Sequence, residues 1–328
     1  MTPTRLGRRL FCIEIVPTSP IPHPSSRLPH PPSGAARPAL KAFLNSKCGN
    51  ADAAREALKT GFDLDVVEPA DMEKRLEAAV KEGTKRILVA GGDGTIATAA
   101  SLVARTDTEL AILPGGTLNH FAKDHNIPTD LRKAAIVAGE GEVVGADIGY
   151  VNDCVFLNTS SIGAYVGFVR DRERLEKQFG YSIASMFAFV RTLADLRTFG
   201  VTFEVEGQTK TYRSSLVFIG VGERELKLPT LGSRVKNGRR GLHVMIVRGR
   251  KRARLFMIAL NAIARGTKEA AKVPEFDNFV VDRCRIDLNR WQATIGLDGE
   301  LKRMKTPLEY HVERDALSLV VAAPEEDE

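Results

Sequence analysis

Cysteine is scarce in this chain of 328 residues, with four at positions 12, 48, 154 and 284. None forms a Cys-x-x-Cys pair and no histidine stands nearby at ligand spacing, which argues against a zinc site and for reduced thiols in a cytosolic protein. No apolar run reaches the length that crosses a bilayer. No Gly-Lys-Ser/Thr triplet follows a glycine turn, so the P-loop with its lysine clamp is missing, and the glycine spacing of the dinucleotide fingerprint is missing too. There is no strong charge excess: 47 Lys and Arg against 41 Asp and Glu give +6, enough to favour an anionic surface, lipid or nucleic acid. Hydrophobic residues make up 43% and charged ones 27%, as in an ordinary soluble protein, and the length is comfortable for two domains. Proline is unevenly spread. Nine of sixteen lie before Ala39, mixed with Ser and His, so residues 1–38 read as a disordered tail. The tail is too rich in proline for an amphipathic transit helix, and its apolar run Leu10–Val16 is short for a signal peptide.

What is present is concentrated between Lys85 and Ala122. Arg86–Ala90 reads as a short buried strand, Gly91-Gly92-Asp93-Gly94-Thr95 as a turn with little side-chain bulk, and Ile96–Ala104 as a helix apolar at helical spacing. Such a strand, turn and helix start offer backbone N–H groups and a positive dipole end to a phosphate, with Gly91, Gly92 and Gly94 as the donors. The pattern then repeats: Leu110–Leu113 as strand, Pro114-Gly115-Gly116-Thr117 as turn, Leu118–Ala122 opening a helix. On a parallel sheet the two turns would lie side by side at the carboxyl edge. A carboxylate among phosphate-facing amides repels the phosphate unless a cation separates them or it takes a proton from a nucleophile. Asp93 therefore points to phosphoryl transfer.

GGDGT followed by PGGTLNHFA resembles the nucleotide site of the diacylglycerol kinase catalytic-domain family, which includes bacterial lipid kinases and sphingosine and ceramide kinases. The family's second motif, Pro-x-Gly-Thr-x-Asn-x-Phe/Leu-Ala, is met by Pro114, Gly116, Thr117, Asn119, Phe121 and Ala122. The resemblance runs from about Leu40 to about Val321 and is strongest in the two loops. It implies ATP as donor, Mg²⁺ acting through Asp93, and a nucleotide lined by Gly91, Gly92, Gly94, Thr95, Gly116, Thr117 and Asn119. It also implies that Asn45 helps hold the nucleotide, although Ser46 and Cys48 depart from the family's Asn-Pro-x-Ser/Ala-Gly. On its own residues that turn is an Asx turn before a helix. Late in the chain, Asp298-Gly299-Glu300 is by itself a hairpin turn. The resemblance brings it back to the cleft, with its acids binding metal or activating the acceptor hydroxyl. Positions 298 and 300 would share one face of an extended strand. Many bacterial relatives carry acids before the strand that here starts at Leu242, and those acids hold a structural magnesium. This chain has Arg239 and Arg240 there.

In order, strand 39–44, helix 51–60, strand 62–67 and helix 71–82 precede the glycine turns, and a helix 131–138 follows them. This is an α/β pattern with a parallel sheet. From Glu142 short strands dominate: 143–150, 155–158, 202–205, 212–218, 242–247, 279–281, 294–297 and 308–321, interrupted by helices near 179–197 and 252–264. The expected architecture is an α/β ATP-binding domain over 39–141 and a β-rich sandwich domain for the lipid over 142–323, with an acidic tail at 324–328.

The function expected is transfer of the γ-phosphoryl group of ATP to a lipid hydroxyl, with diacylglycerol as acceptor. A NAD kinase and a nucleotide-binding regulator without transfer activity are the alternatives. Glu300 is expected to assist the hydroxyl, Asp298 to face the acceptor and Asp93 to work mainly through the metal. The run Arg248, Arg250, Lys251, Arg252 and Arg254 would contact anionic lipid, while nucleic acid lacks an aromatic platform here. A cytoplasmic protein peripheral to the inner membrane face, able to pair as a homodimer, completes the expectation.

Overall fold

The computed structural model describes residues 40–194, 198–205, 207–225, 232–248 and 276–323. Both expected tails, the helix expected at 252–264, and Arg250, Lys251, Arg252 and Arg254 lie outside the described residues.

Four parallel strands open the fold: β1 (Leu40–Asn45), β2 (Phe62–Val67), β3 (Arg86–Gly91) and β4 (Glu109–Pro114). Their order is β4-β3-β1-β2. In β3 and β4 every residue after the first is buried, as in strands covered on both faces. The covers are α1 (Ala51–Ala57) and α5 (Leu131–Glu140) on one side, α2 (Met72–Lys81) and α3 (Asp93–Val103) on the other. Alternation along β3 assigns its residues accordingly: Leu88 packs with Leu58 and Ala134, Val89 with Leu76 and Ala100. A short α4 (His120–Asp124) follows the second glycine turn.

The second half is rich in strands. It contains β5 (Glu142–Val151), β6 (Cys154–Phe156), β7 (Thr159–Gly163), β8 (Phe199–Val205), β9 (Gln208–Val221), β10 (Leu242–Arg248) and β11 (Phe276–Val281). Then come β12 (Arg283–Asp287), β13 (Gln292–Leu297), β14 (Glu300–Lys305) and β15 (Leu308–Val321). These strands pair antiparallel with one another around a core that includes Val217, Ile219, Val244, Ile286 and Ile295. β15 pairs with β12 near its start and, through Leu319 opposite Leu110, lies parallel to β4 near its end. It returns the chain to the first sheet, so hydrogen bonding continues from β14 to β2.

The mixed α/β class is as expected, with three differences. α3 begins at Asp93 rather than Ile96, because Gly92, extended at φ −84 and ψ 179, starts the helix inside the glycine run. The helix expected near 179 begins at Ala164, as α6 (Ala164–Ala194), broken at Gly180 with φ 73. β12 and β14 are strands outside the expected set: in β12 only Cys284 and Ile286 alternate with charges over five residues, and in β14 Met304 alone is buried among charges.

Candidate active site

Three turns abut at the carboxyl ends of β1, β3 and β4. Gly115 donates its N–H to the carbonyl of Gly91 at 2.9 Å. A Cβ on Gly116 would lie 2.7 Å from Gly92 Cα, and one on Gly115 would lie 3.0 Å from Cys48 Sγ. The approach of these backbones requires glycine. Gly91 closes β3, and a side chain there would collide with Thr95, 2.6 Å away. Since α3 starts at Asp93, the N–H groups of Asp93, Gly94 and Thr95 precede its first intrahelical bond, from Ile96 N–H to the Gly92 carbonyl at 3.0 Å. These three donors at the positive end of an eleven-residue helix are suited to a phosphate.

Two asparagines hold the turns in place. Asn45 accepts the N–H of Lys47 at 3.0 Å, the expected Asx turn, and donates to Thr95 Oγ1 at 2.8 Å. It thereby ties the first turn to α3. Asn119, left-handed at φ 51, accepts the Gly116 N–H at 2.9 Å and donates to the Gly116 carbonyl at 2.8 Å. Thr117 is exposed at the tip of that turn. Asp93 Oδ1 faces the start of α4, accepting the Phe121 N–H at 3.4 Å.

The late carboxylates separate. Asp298 at φ 47 and Gly299 at φ 89 form the two-residue turn between β13 and β14, with Leu297 opposite Glu300. The expected shared strand face is therefore absent, because neither residue of the turn is extended. Asp298 points inward and accepts the N–H groups of Leu157, Asn158 and Thr159 at 2.7, 2.8 and 2.9 Å. Withdrawal from water pushes its pKa up, while the three amides and the charge of Arg224 pull the other way. It anchors the segment entering β7. Glu300 is exposed, and its Oε1 stands 2.8 Å from where a Cβ on Gly94 would be. The structure thus brings Glu300 to the glycine turn and commits the Asp298 carboxylate to the amides of Leu157, Asn158 and Thr159.

Sequence reasoning missed Arg224. Only 2% exposed, it donates to both Asp124, at the end of α4, and the Val221 carbonyl. It couples the helix after the second glycine turn to the strand-rich half. No local signal in the sequence marks it. Arg239 and Arg240 also make ion pairs, Arg239 with Glu223 and Arg240 with Asp147 and Asp315. Burial works against the Asp147 carboxylate, yet Arg240 and Arg234 hold its pKa below the usual range. Among the described residues no group of three or more His, Cys, Asp or Glu is gathered to hold a metal.

Residues 40–151 match the diacylglycerol kinase catalytic domain. A probable lipid kinase YegS-like protein of Pseudomonas syringae pv. tomato is 32% identical over 179 residues, 52% of this chain and 57% of that protein. A diacylglycerol kinase of Staphylococcus carnosus is 27% identical over 168 residues, 50% of this chain and 55% of that protein. The chain spans about half the length of the curated relatives it matches. In fold it is similar to the crystal structure of a putative diacylglycerol kinase from Bacillus anthracis, with a TM-score of 0.67 at 21% identity over 87% of this chain and 97% of that one. The match over residues 40–151 takes in both glycine turns, Asp93 and Asn119.

Proposed function

We propose that the protein is a lipid kinase that transfers the γ-phosphoryl group of ATP to a lipid hydroxyl, with diacylglycerol as the first acceptor to test. One observation carries the reading: an exposed carboxylate, Glu300, beside Gly94 in the helix turn whose amides suit a phosphate. The N–H groups of Asp93, Gly94 and Thr95 would hold the phosphates, and Asn45 would keep Thr95 in place. The hydroxyl oxygen attacks the γ-phosphorus, the bond to the β–γ bridging oxygen breaks, and ADP leaves. Glu300 takes the proton of the attacking hydroxyl. The hard oxygen of Asp93 suits a magnesium ion shared with the phosphates, which would neutralise their charge. Residues 40–141 would serve the nucleotide and the strands after Glu142 the acceptor. No helix among the described residues is long and apolar enough to cross a membrane, so the lipid would be reached from the aqueous side.

Labelled ATP offered with a panel of lipids and NAD tests the reading. Label in a lipid supports it. Label only in NAD, or ATP bound without transfer to any acceptor, overturns it.

A further inference from the structure

Trp291 is the single tryptophan of the chain and is 74% exposed. An indole is a large apolar surface with one polar handle, so leaving it in water forgoes much of the gain of burying it. It lies in the turn between β12 and β13, and its carbonyl accepts the Thr306 N–H at 3.1 Å, which joins that turn to the end of β14. Among the described residues β14 pairs with β13 alone and so forms a sheet edge. That edge exposes Lys302, Arg303 and Lys305. The register sets Lys305 opposite Gln292 and Arg303 opposite Thr294, so both stand on one face, and Lys305 is next in sequence to Thr306, which bonds the Trp291 carbonyl. Arg290 precedes Trp291 directly.

The charge on this edge has one sign. Between Asn289 and Thr306 the acids are Asp298, taken by three amides, and Glu300, at the far end beside Gly94. Asp287, just before the turn, accepts the N–H of Asn289 at 2.8 Å. Next to the turn is a cavity of about 210 Å³ lined by Ile162, Val166, Phe199 and Leu288 together with Arg170 and Arg290.

We propose that the Trp291 turn and the cationic edge of β14 dock onto an anionic lipid bilayer; the inference takes its purpose from the lipid-kinase reading. An indole prefers the boundary between headgroups and acyl chains, where its ring is dry and its N–H wet. Lysine and arginine along an edge strand oppose its pairing with a second chain, which disfavours a β-edge dimer. A lone indole offers no stacking platform for nucleic acid. Each cation near an anionic surface contributes about fivefold in affinity.

Because the chain has one tryptophan, intrinsic fluorescence reads residue 291 alone. With the full-length protein and vesicles of phosphatidylcholine and phosphatidylglycerol, the emission shifts to the blue and brominated acyl chains quench it. Vesicles of phosphatidylcholine alone give a weaker effect, and high salt reverses the shift. Changing Lys302, Arg303 and Lys305 together to Glu lowers the affinity for anionic vesicles at least about a hundredfold. Trp291→Ala weakens sedimentation with vesicles, keeps the melting temperature, and leaves turnover of detergent-dispersed lipid unchanged. Three results overturn the proposal: no sedimentation with anionic vesicles, sedimentation with emission unmoved, or emission that shifts with protein concentration or added DNA rather than with vesicles. A vesicle-dependent shift in a protein with no transfer activity leaves the docking face standing and removes the kinase reading; activity with no shift does the reverse.

Discussion

Glu300 reaches the glycine turn: its Oε1 lies 2.8 Å from where Gly94 would carry a Cβ. A residue that opens β14 thereby faces the first turn of α3, and the meeting place is the phosphate-suited end of that helix. Glu300→Gln keeps the size and removes the charge. It lowers turnover by about a hundredfold or more, the range of a general base, and leaves nucleotide affinity nearly unchanged. Gly94→Ala displaces the carboxylate without unfolding the turn, because the colliding atom ends a flexible side chain, and turnover falls again. Asp93→Asn changes the magnesium dependence. Full turnover in Glu300→Gln, with Asp93→Asn dead at every magnesium concentration, would exchange the two roles.

Asp298 has structural work to do. Its carboxylate satisfies the N–H groups of Leu157, Asn158 and Thr159. Asparagine offers one acceptor oxygen and turns an NH₂ toward donors, so Asp298→Asn should lose about 3 kcal/mol of stability. Urea unfolding monitored by circular dichroism measures the loss. A variant as stable as the native protein but inactive would place Asp298 at the acceptor instead.

His125 makes stability sensitive to acid. It packs on Phe121 with ring centroids 4.6 Å apart, and burial, with Arg234 and Arg224 nearby, lowers its pKa to about 4 despite the opposing charges of Asp124 and Asp147. The unfolded chain takes up this proton near pH 6.5 and the folded one only near 4, so the contribution is complete above about pH 6.5 and is lost as the pH falls toward 4. The loss is on the order of 3 kcal/mol. Asp147, whose pKa is also held down, titrates below that window. Urea midpoints between pH 4 and 7 should fall steeply for the native protein and less for His125→Gln. Equal slopes would assign the proton elsewhere.

The end of the fold with the two glycine turns is legible in the sequence. Arg86–Ala90 and Leu110–Leu113 read as strands because parallel strands buried on both faces appear as continuous apolar runs, and the glycines after them leave little choice but a turn. Asn45 and Asp298-Gly299 are legible as turns for the same local reason: short polar side chains and glycine tolerate backbone that other residues avoid. β14 is illegible because its charged residues bury little beyond Met304, so its strand state comes from pairing with β13. The start of α6 at Ala164 likewise escapes a reading by local pattern.

The destinations of side chains are not local either. Whether Asp298 or Glu300 reaches the glycine turn depends on the left-handed backbone of two turn residues, which sends one carboxylate to the amides of Leu157–Thr159 and leaves the other beside Gly94. Arg224 meets Asp124 only because the strand-rich half folds against the helix after the second glycine turn. Composition and spacing determine backbone states, since those arise from neighbours in the chain. Which charges share a site is settled by packing between segments far apart in sequence, where burial and pairing outweigh local preference.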